Sequence, residues 1–93
     1  MNYLQKLDLI MKQLHKFKGA GFLAIYDLIG QYFDHISDTE CELYLVELKK
    51  SGYAEVETNG NSQTVSKITF EGIKFCETSS FAQPGQPIIK IEE

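Results

Sequence analysis

The chain of 93 residues carries a formal net charge of −4, with a hydrophobic fraction of 43% and a charged fraction of 24%. This length allows one compact core but excludes a core combined with a deep substrate cavity, and the composition is ordinary for a soluble globular domain. Because no apolar run approaches the roughly 20 residues needed to cross a bilayer, and the first ten residues lack a signal-peptide pattern, we expect no membrane partner and a cytoplasmic location.

Apolar residues at helical spacing predict a first helix over residues 2–18. Asn2 is the predicted N-cap, with Gln5 three residues later as its capping-box partner. The segment Gly19-Ala20-Gly21 ends the helix. The apolar stripe of this helix consists of Tyr3, Leu4, Leu7, Ile10, Met11, Leu14 and Phe17.

The same spacing predicts a second helix over residues 22–33. Gly30 lies inside this pattern, where a glycine costs about 1 kcal/mol relative to alanine. Two interpretations follow: Gly30 permits close backbone approach, or it marks an earlier helix end and leaves residues 31–36 as a loop. The stripe of this helix consists of Phe22, Ile25, Tyr26, Ile29, Tyr32 and Phe33.

A capping box at Ser37-Asp38-Thr39-Glu40 predicts a third helix over residues 37–51, followed by Gly52 as the left-handed C′ residue. We expect one face of this helix to pack on the core through Cys41, Tyr44, Leu45 and Leu48. The outward face then carries Thr39, Leu43, Val46 and Lys50, edged by Glu42 and Glu47.

Residues 53–58 and 63–69 have strand composition, and Asn59-Gly60 between them is a strong hairpin-turn signal. We expect four residues to anchor this hairpin on the helices: Tyr53, Val56, Val65 and Ile68. Thr69 then caps a short helix over residues 70–77.

The C-terminal part of the chain changes character after residue 78. Pro84, Gly85 and Pro87 make a breaker-rich connector, and the final residues 88–93 have strand-like composition. We therefore divide the chain into a domain over residues 1–78 and a connector with tail over residues 79–93. The tail is either a disordered or loosely docked terminus, or a strand that adds to a sheet edge through Ile88, Ile89 and Ile91.

The stretch LYLVELKKSGYAEVE, followed by KITFEGIKF, resembles the second half of a winged-helix domain. In that family a third helix ends in a leucine-rich turn and a glycine, and the chain then enters a two-stranded wing. It often leaves the wing through an I-T-x-x-G step, which is here Ile68-Thr69-Phe70-Glu71-Gly72. The resemblance covers about residues 3–78. It implies an α+β fold with a three-helix core, a C-terminal two-stranded β-hairpin wing, a short fourth helix and an extended tail.

The resemblance also implies a DNA-binding regulator whose third helix enters the major groove, but the charges of this chain oppose that function. The N-terminal end of the predicted third helix offers Asp38, Glu40 and Glu42 to a negatively charged duplex. The chain contains no arginine, the group best suited to phosphates and guanine edges. In this alternative the DNA contacts are Lys50, Asn59, Asn61 and Lys67.

Our preferred hypothesis is protein–protein association, with another protein or a second copy, because the outward face is apolar and edged by acids. The residues of this interface are Thr39, Leu43, Val46, Glu47 and Lys50, with Ile88, Ile89 and Ile91 as a second contact. The competing interpretation is that Leu43 and Val46 are ordinary scattered surface apolar residues.

Motifs of catalysis are missing from the sequence. No phosphate-binding glycine loop or nucleophile elbow occurs, and neither His15 nor His35 has a second ligand at metal-binding spacing. We therefore predict a protein that is not an enzyme and that uses no metal or other cofactor. Cys41 and Cys76 are expected to be reduced and buried.

Overall fold

In the computed structural model of the protein, residues 2–24, 37–58, 60 and 64–90 are described. In chain order they form α1 (Tyr3–Lys16), β1 (Leu23–Ala24), α2 (Asp38–Lys50), β2 (Ala54–Thr58), β3 (Thr64–Ile68) and α3 (Phe70–Thr78). Within these residues the fold is a small α+β arrangement of three helices and one three-stranded antiparallel sheet. The helix predicted after the hairpin is confirmed as α3.

The first helix begins as its sequence predicts, and its packing differs from the predicted pattern at both ends. The Asn2 side chain accepts from the Gln5 amide, and the Gln5 side chain accepts from the Asn2 amide, both at 2.9 Å. The central apolar stripe of α1 is buried, whereas Tyr3, Leu4 and Phe17 towards its ends are exposed. Gln13 and His15, outside that stripe, are buried as well. The core that α1 shares with the other elements consists of Leu7, Ile10, Met11, Leu14, Cys41, Tyr44, Leu45, Leu48, Ala54, Ile68 and Cys76.

The predicted second helix is wrong at its start, because Leu23 and Ala24 form strand β1. They pair with Ser66 and Val65 of β3. A short apolar run has no periodicity that separates helix from strand, and here β3 supplies an edge with which the run pairs. The rest of the predicted helix, residues 25–33, lies outside the described residues.

The predicted hairpin is confirmed, but the sheet has the order β1-β3-β2 and therefore three strands rather than two. In the hairpin, Ala54 pairs with Ile68 and Val56 with Ser66. Because side chains alternate along a strand, a buried Ile68 places Ser66 inward as well. The prediction of Val65 as an anchor was wrong. Val65 lies on the face of β3 opposite to Ile68, and Ser66 is the buried residue, at 0% exposure.

The passage from α2 into the hairpin is a Schellman motif. The Tyr53 amide donates to the Leu48 carbonyl and the Gly52 amide donates to the Lys49 carbonyl, both at 3.1 Å. Gly52 has a φ of +80°, the left-handed conformation that glycine adopts without strain. The predicted role of Gly52 is thus confirmed.

The exit from the hairpin is fastened to this entrance by Thr69. Its amide donates to the Tyr53 carbonyl at 3.1 Å, and its hydroxyl donates to the Gly52 carbonyl at 2.7 Å. The same hydroxyl accepts from the Gly72 amide at 3.0 Å and so caps α3. A Cβ atom on Gly72 would lie 2.1 Å from the Tyr53 carbonyl oxygen, so only glycine fits there. The I-T-x-x-G step is therefore the local device that closes the hairpin and starts α3.

Residues 79–90, expected as a connector and tail, pack back against α1 and α3. The Asp8 carboxylate of α1 accepts from the amides of Phe81 at 2.7 Å and Ala82 at 3.1 Å. The Phe81 ring lies 4.9 Å from the Phe75 ring and 5.9 Å from the Tyr53 ring. One charged side chain and one aromatic cluster thus attach this segment to the domain.

The end of this segment lies on the C-terminal half of α3. The Ile88 amide donates to the Ser79 carbonyl at 3.1 Å, and the Ile89 amide donates to the Cys76 carbonyl at 2.9 Å. Both isoleucine side chains are partly buried against the core. The predicted strand is not formed over its described part, residues 88–90, because the amides of Ile88 and Ile89 bond α3 instead of a sheet edge.

Candidate functional site

Helix α2 presents two chemically distinct faces. Cys41, Tyr44, Leu45 and Leu48 are buried in the core, as the sequence predicts. On the other side, Leu43 is 58% exposed and Val46 is 62% exposed. We call the surface formed by the five predicted residues the α2 outer face: Thr39, Leu43, Val46, Glu47 and Lys50. Glu47 is half-buried, and the other four are exposed.

A polar cluster holds α2 firmly against α1. The Ser37 hydroxyl accepts from the Glu40 amide at 3.1 Å and caps the helix. The Glu40 carboxylate accepts from Lys6 Nζ of α1 at 3.0 Å and from the Tyr44 hydroxyl. These two donors, Tyr44 first, hold the pKa of Glu40 below its ordinary value. Burial, followed by the bond to Glu40, raises the pKa of Tyr44. The outer face of α2 is therefore carried by a helix whose position is fixed.

One edge of the outer face continues onto α1 through Tyr3. The Tyr3 ring stacks on the Tyr44 ring with centroids 5.4 Å apart, and Tyr3 remains exposed. The pKa of Tyr3 is raised, first by partial burial and then by the nearby Glu47 carboxylate. This edge of the face is thus aromatic and acidic.

The other edge of the outer face borders a groove between α2 and the hairpin. The groove has a volume of about 200 Å³. Its floor and walls are mainly apolar, and Glu42 and Lys49 contribute the charged groups. Its lining consists of Glu42, Leu45, Val46, Lys49, Val56 and Thr64. A partner bound to α2 would therefore meet one negative and one positive side chain along this edge.

The residues predicted for DNA contact are only partly placed. Lys50 is exposed at the C-terminal end of α2. Lys67 lies opposite Glu55 in the register of the hairpin strands, and its Nζ lies 6.0 Å from the centroid of the Phe22 ring. Asn59 and Asn61 lie outside the described residues. The exposed outer side of β2 also carries Glu57, so acidic groups accompany the lysine of the hairpin.

Two of the isoleucines predicted as a second contact, Ile88 and Ile89, lie against α3 and the core. Ile88 and Ile89 are partly buried and bonded to the end of α3, and Ile91 lies outside the described residues. Sequence reasoning had no signal for this docking, because the Asp8 carboxylate that attaches the segment is separated from Phe81 by 73 positions.

The described part of the chain contains no group of three or more histidine, cysteine, aspartate or glutamate side chains suited to a metal ion. His15, which the sequence places on the polar side of α1, is buried with Nε2 3.3 Å from Glu77 Oε1. This pair joins the ends of α1 and α3. None of the helices over the described residues is both long and apolar enough to cross a bilayer.

No protein-family profile, curated protein sequence or solved structure matches this chain.

Proposed function

We propose that the protein is a small, non-catalytic binding module that associates with another polypeptide through the α2 outer face. The observation that carries this proposal is the exposure of Leu43 and Val46, one turn apart, in the middle of a helix fixed by core packing. Isolated surface apolar residues are common, but these two share one helix face beside a largely apolar groove. A rigid apolar strip with a charged rim is the chemistry of a helix-mediated protein contact.

We further propose that the module is of the winged-helix type. The support is local: α2 ends at the Gly52 turn, the chain enters the β2–β3 hairpin, and Thr69 and Gly72 complete the I-T-x-x-G step. The additional strand β1 lies beside β3, on the side away from β2. In this proposal α2 corresponds to the third helix of the family and the hairpin to its wing.

A cytoplasmic location belongs to the same proposal. Cys41 and Cys76 are both buried thiols in the structure. Thiols of this kind persist in reducing compartments, and oxidising compartments favour disulfides in small domains.

The second candidate function is that of a DNA-binding regulator. It is favoured by the winged-helix proposal and by Lys49 and Lys50, which are exposed at the end of α2. It is opposed by the exposed Glu42 at the other end of α2 and by Glu57 on the wing, since both would face phosphates. We therefore rank it below protein association.

Site-specific photo-crosslinking tests the preferred function. A benzophenone amino acid replaces Val46, and the matched control carries it at Phe70, which is 74% exposed but lies on α3. After irradiation in cells, we expect polypeptide adducts from position 46 in several-fold excess over position 70. Nucleic-acid adducts at position 46, or equal yields at both positions, would contradict the proposal.

The DNA alternative has its own measurement, the fluorescence anisotropy of a labelled duplex titrated with the protein. True DNA binding would be retained at about 50 mM salt and would fall steeply towards about 200 mM, because counterions are released. We expect no binding at the lower salt concentration. Binding with that steep salt dependence would reverse our ranking.

A further inference from the structure

We infer that the partner of the α2 outer face is a second copy of this chain, and that the two α2 helices pair in antiparallel orientation. This inference rests on the proposed function and adds the identity and geometry of the partner.

The outward residues of α2 have the spacing of a coiled-coil seam. Thr39, Leu43, Val46 and Lys50 are separated by four, three and four positions, which is the a/d repeat of a heptad. All four are exposed, so the seam is not used by the core of the protomer itself. Leu43 and Val46 are the central pair, and a two-fold axis near them would place each pair against its copy.

The charges beside this seam select the antiparallel orientation. Glu42 and Lys49 are exposed at equivalent heptad positions, each directly before an a position. In an antiparallel pair, such positions lie on the same side of the interface. Glu42 of one copy then meets Lys49 of the second copy, and the two-fold axis makes this contact twice. In a parallel pair, Glu42 would instead face Glu47 of the second copy, which is a like-charge contact.

The opposite side of the seam does not cancel this preference. There the antiparallel arrangement brings Glu47 of one copy towards Glu40 of the other. Glu40 is already paired with Lys6 at 3.0 Å and accepts from the Tyr44 hydroxyl. Glu47 therefore approaches an ion pair rather than a bare carboxylate, and the repulsion is reduced. The seam is complementary to itself, which a contact between identical surfaces requires.

The length of α2 sets the expected strength. A helix of 13 residues is about 20 Å long, so the interface is short and the dimer should be weak and reversible. Sedimentation equilibrium of the wild-type protein, at concentrations up to about 0.5 mM, covers the range in which weak interfaces are occupied. We expect the dimer fraction to rise with concentration and to fall with salt.

The decisive experiment is a charge swap at the two flanking positions. Glu42→Lys alone places two lysines together at each contact, and Lys49→Glu alone places two glutamates together. Each variant alone should weaken the dimer by about tenfold or more, since like charges would meet at both contacts. An equimolar mixture of the two should form a heterodimer in which both contacts join Lys to Glu. The double variant Glu42→Lys/Lys49→Glu should likewise regain the wild-type dimer.

The control is Lys74→Glu, which makes the same charge change at an exposed position of α3. It should leave the dimer unchanged, and circular dichroism verifies the fold of every variant. A wild-type protein that stays monomeric, or a mixture that does not recover association, overturns the inference. In that event a polypeptide adduct of mass other than twice the chain, obtained from position 46, would still support the proposed function.

Discussion

Gly72 shows how a single missing side chain determines the packing of two elements. The Tyr53 carbonyl oxygen, at the entrance of the hairpin, lies only 2.1 Å from the position that a Cβ atom on Gly72 would take. That carbonyl is held in place because it also accepts from the Thr69 amide. The first turn of α3 can approach the hairpin this closely only because residue 72 has no side chain.

Replacement of Gly72 by alanine should therefore lower the free energy of unfolding. In an ordinary helix interior this change is favourable by about 1 kcal/mol. Here the clash with a backbone atom should reverse the sign and destabilise the protein by about 1–3 kcal/mol. Urea denaturation of the variant measures the difference. Gly19→Ala is the control, because nothing lies within 4 Å of a Cβ at that position. A stabilised Gly72→Ala variant would show that the approach of α3 is not constrained.

Residue by residue, the sequence predicts the caps better than the faces. Asn2, Thr69 and Gly52 have their expected roles because each acts on a neighbour within three to five positions. The predicted inward face of β3 was wrong at Val65, because hydrophobicity favours Val65 over Ser66 as an anchor. The strand alternation, fixed by Ile68, gives the opposite result. The Ser66 hydroxyl is buried and has no hydrogen-bond partner among the described residues, which hydrophobicity alone does not predict.

At the scale of the elements, the segment after α3 is held by α1. The Asp8 carboxylate is the only acceptor that the described contacts give to the amides of Phe81 and Ala82. Removal of the carboxylate would leave both amides without that charged acceptor, and the segment would lose its polar attachment. The aromatic contacts of Phe81 would remain.

We expect Asp8→Ala to loosen residues 79–90 selectively. The loss of two hydrogen bonds to a charged group should destabilise this attachment by about 1–3 kcal/mol. Hydrogen exchange followed by mass spectrometry should show faster exchange over residues 79–90 and little change in the centre of α1. Lys16→Ala, at an exposed position two turns later on the same helix, should leave the exchange as in wild type. Unchanged exchange in Asp8→Ala would mean that apolar packing alone holds the segment.

Elements with a strong local signal were predictable, and those that depend on distant contacts were not. The periodicity of α1, the capped α2 and the hairpin strands were evident from neighbouring residues. Leu23 and Ala24 form a strand because they pair with β3, which lies some forty positions later in the chain. The packing of residues 79–90 depends on Asp8, more than seventy positions earlier. No local pattern records such partners.

At the scale of the whole molecule, the core contains ionisable groups that must remain neutral. Burial is the main cause that raises the pKa of the Cys76 thiol to about 12, and the carboxylates of Asp8 and Glu77 add to it. The Cys76 thiol also donates to the Met11 carbonyl at 3.7 Å. Burial likewise raises the pKa of Tyr44. Both groups are neutral in the folded protein at neutral pH.

The fold should therefore lose stability in alkaline solution. A thiol with an ordinary pKa of 9.0 deprotonates in the unfolded chain first, whereas the folded pKa of Cys76 is about 12. The stabilising difference is complete below pH 9 and is lost as the pH rises from about 9 to about 12. Urea unfolding at a series of pH values measures this loss. Cys76→Ala should show a smaller decrease between pH 9 and 10, and an equal decrease would contradict the assignment.

The exposure of the α2 outer face was predictable from the sequence. One buried face of α2 required an opposite face, and Leu43 and Val46 are exposed there as the periodicity indicates. The surroundings of that face were not predictable. Tyr3 borders it through a stack on Tyr44, and the hairpin forms a groove beside it, both through contacts that join separate elements.

The hydroxyl of Thr69 has a consequence for how this chain can vary. By bonding the Gly52 carbonyl, it joins two positions 17 residues apart and closes the hairpin at its base. Insertions at the far end of the hairpin would then be separated from the core by that closed base. Doubling the length of such a loop costs only about 0.6 kcal/mol in closure entropy. The hairpin end is thus the natural position for grafting a foreign peptide or a reporter tag onto this domain without rebuilding its interior.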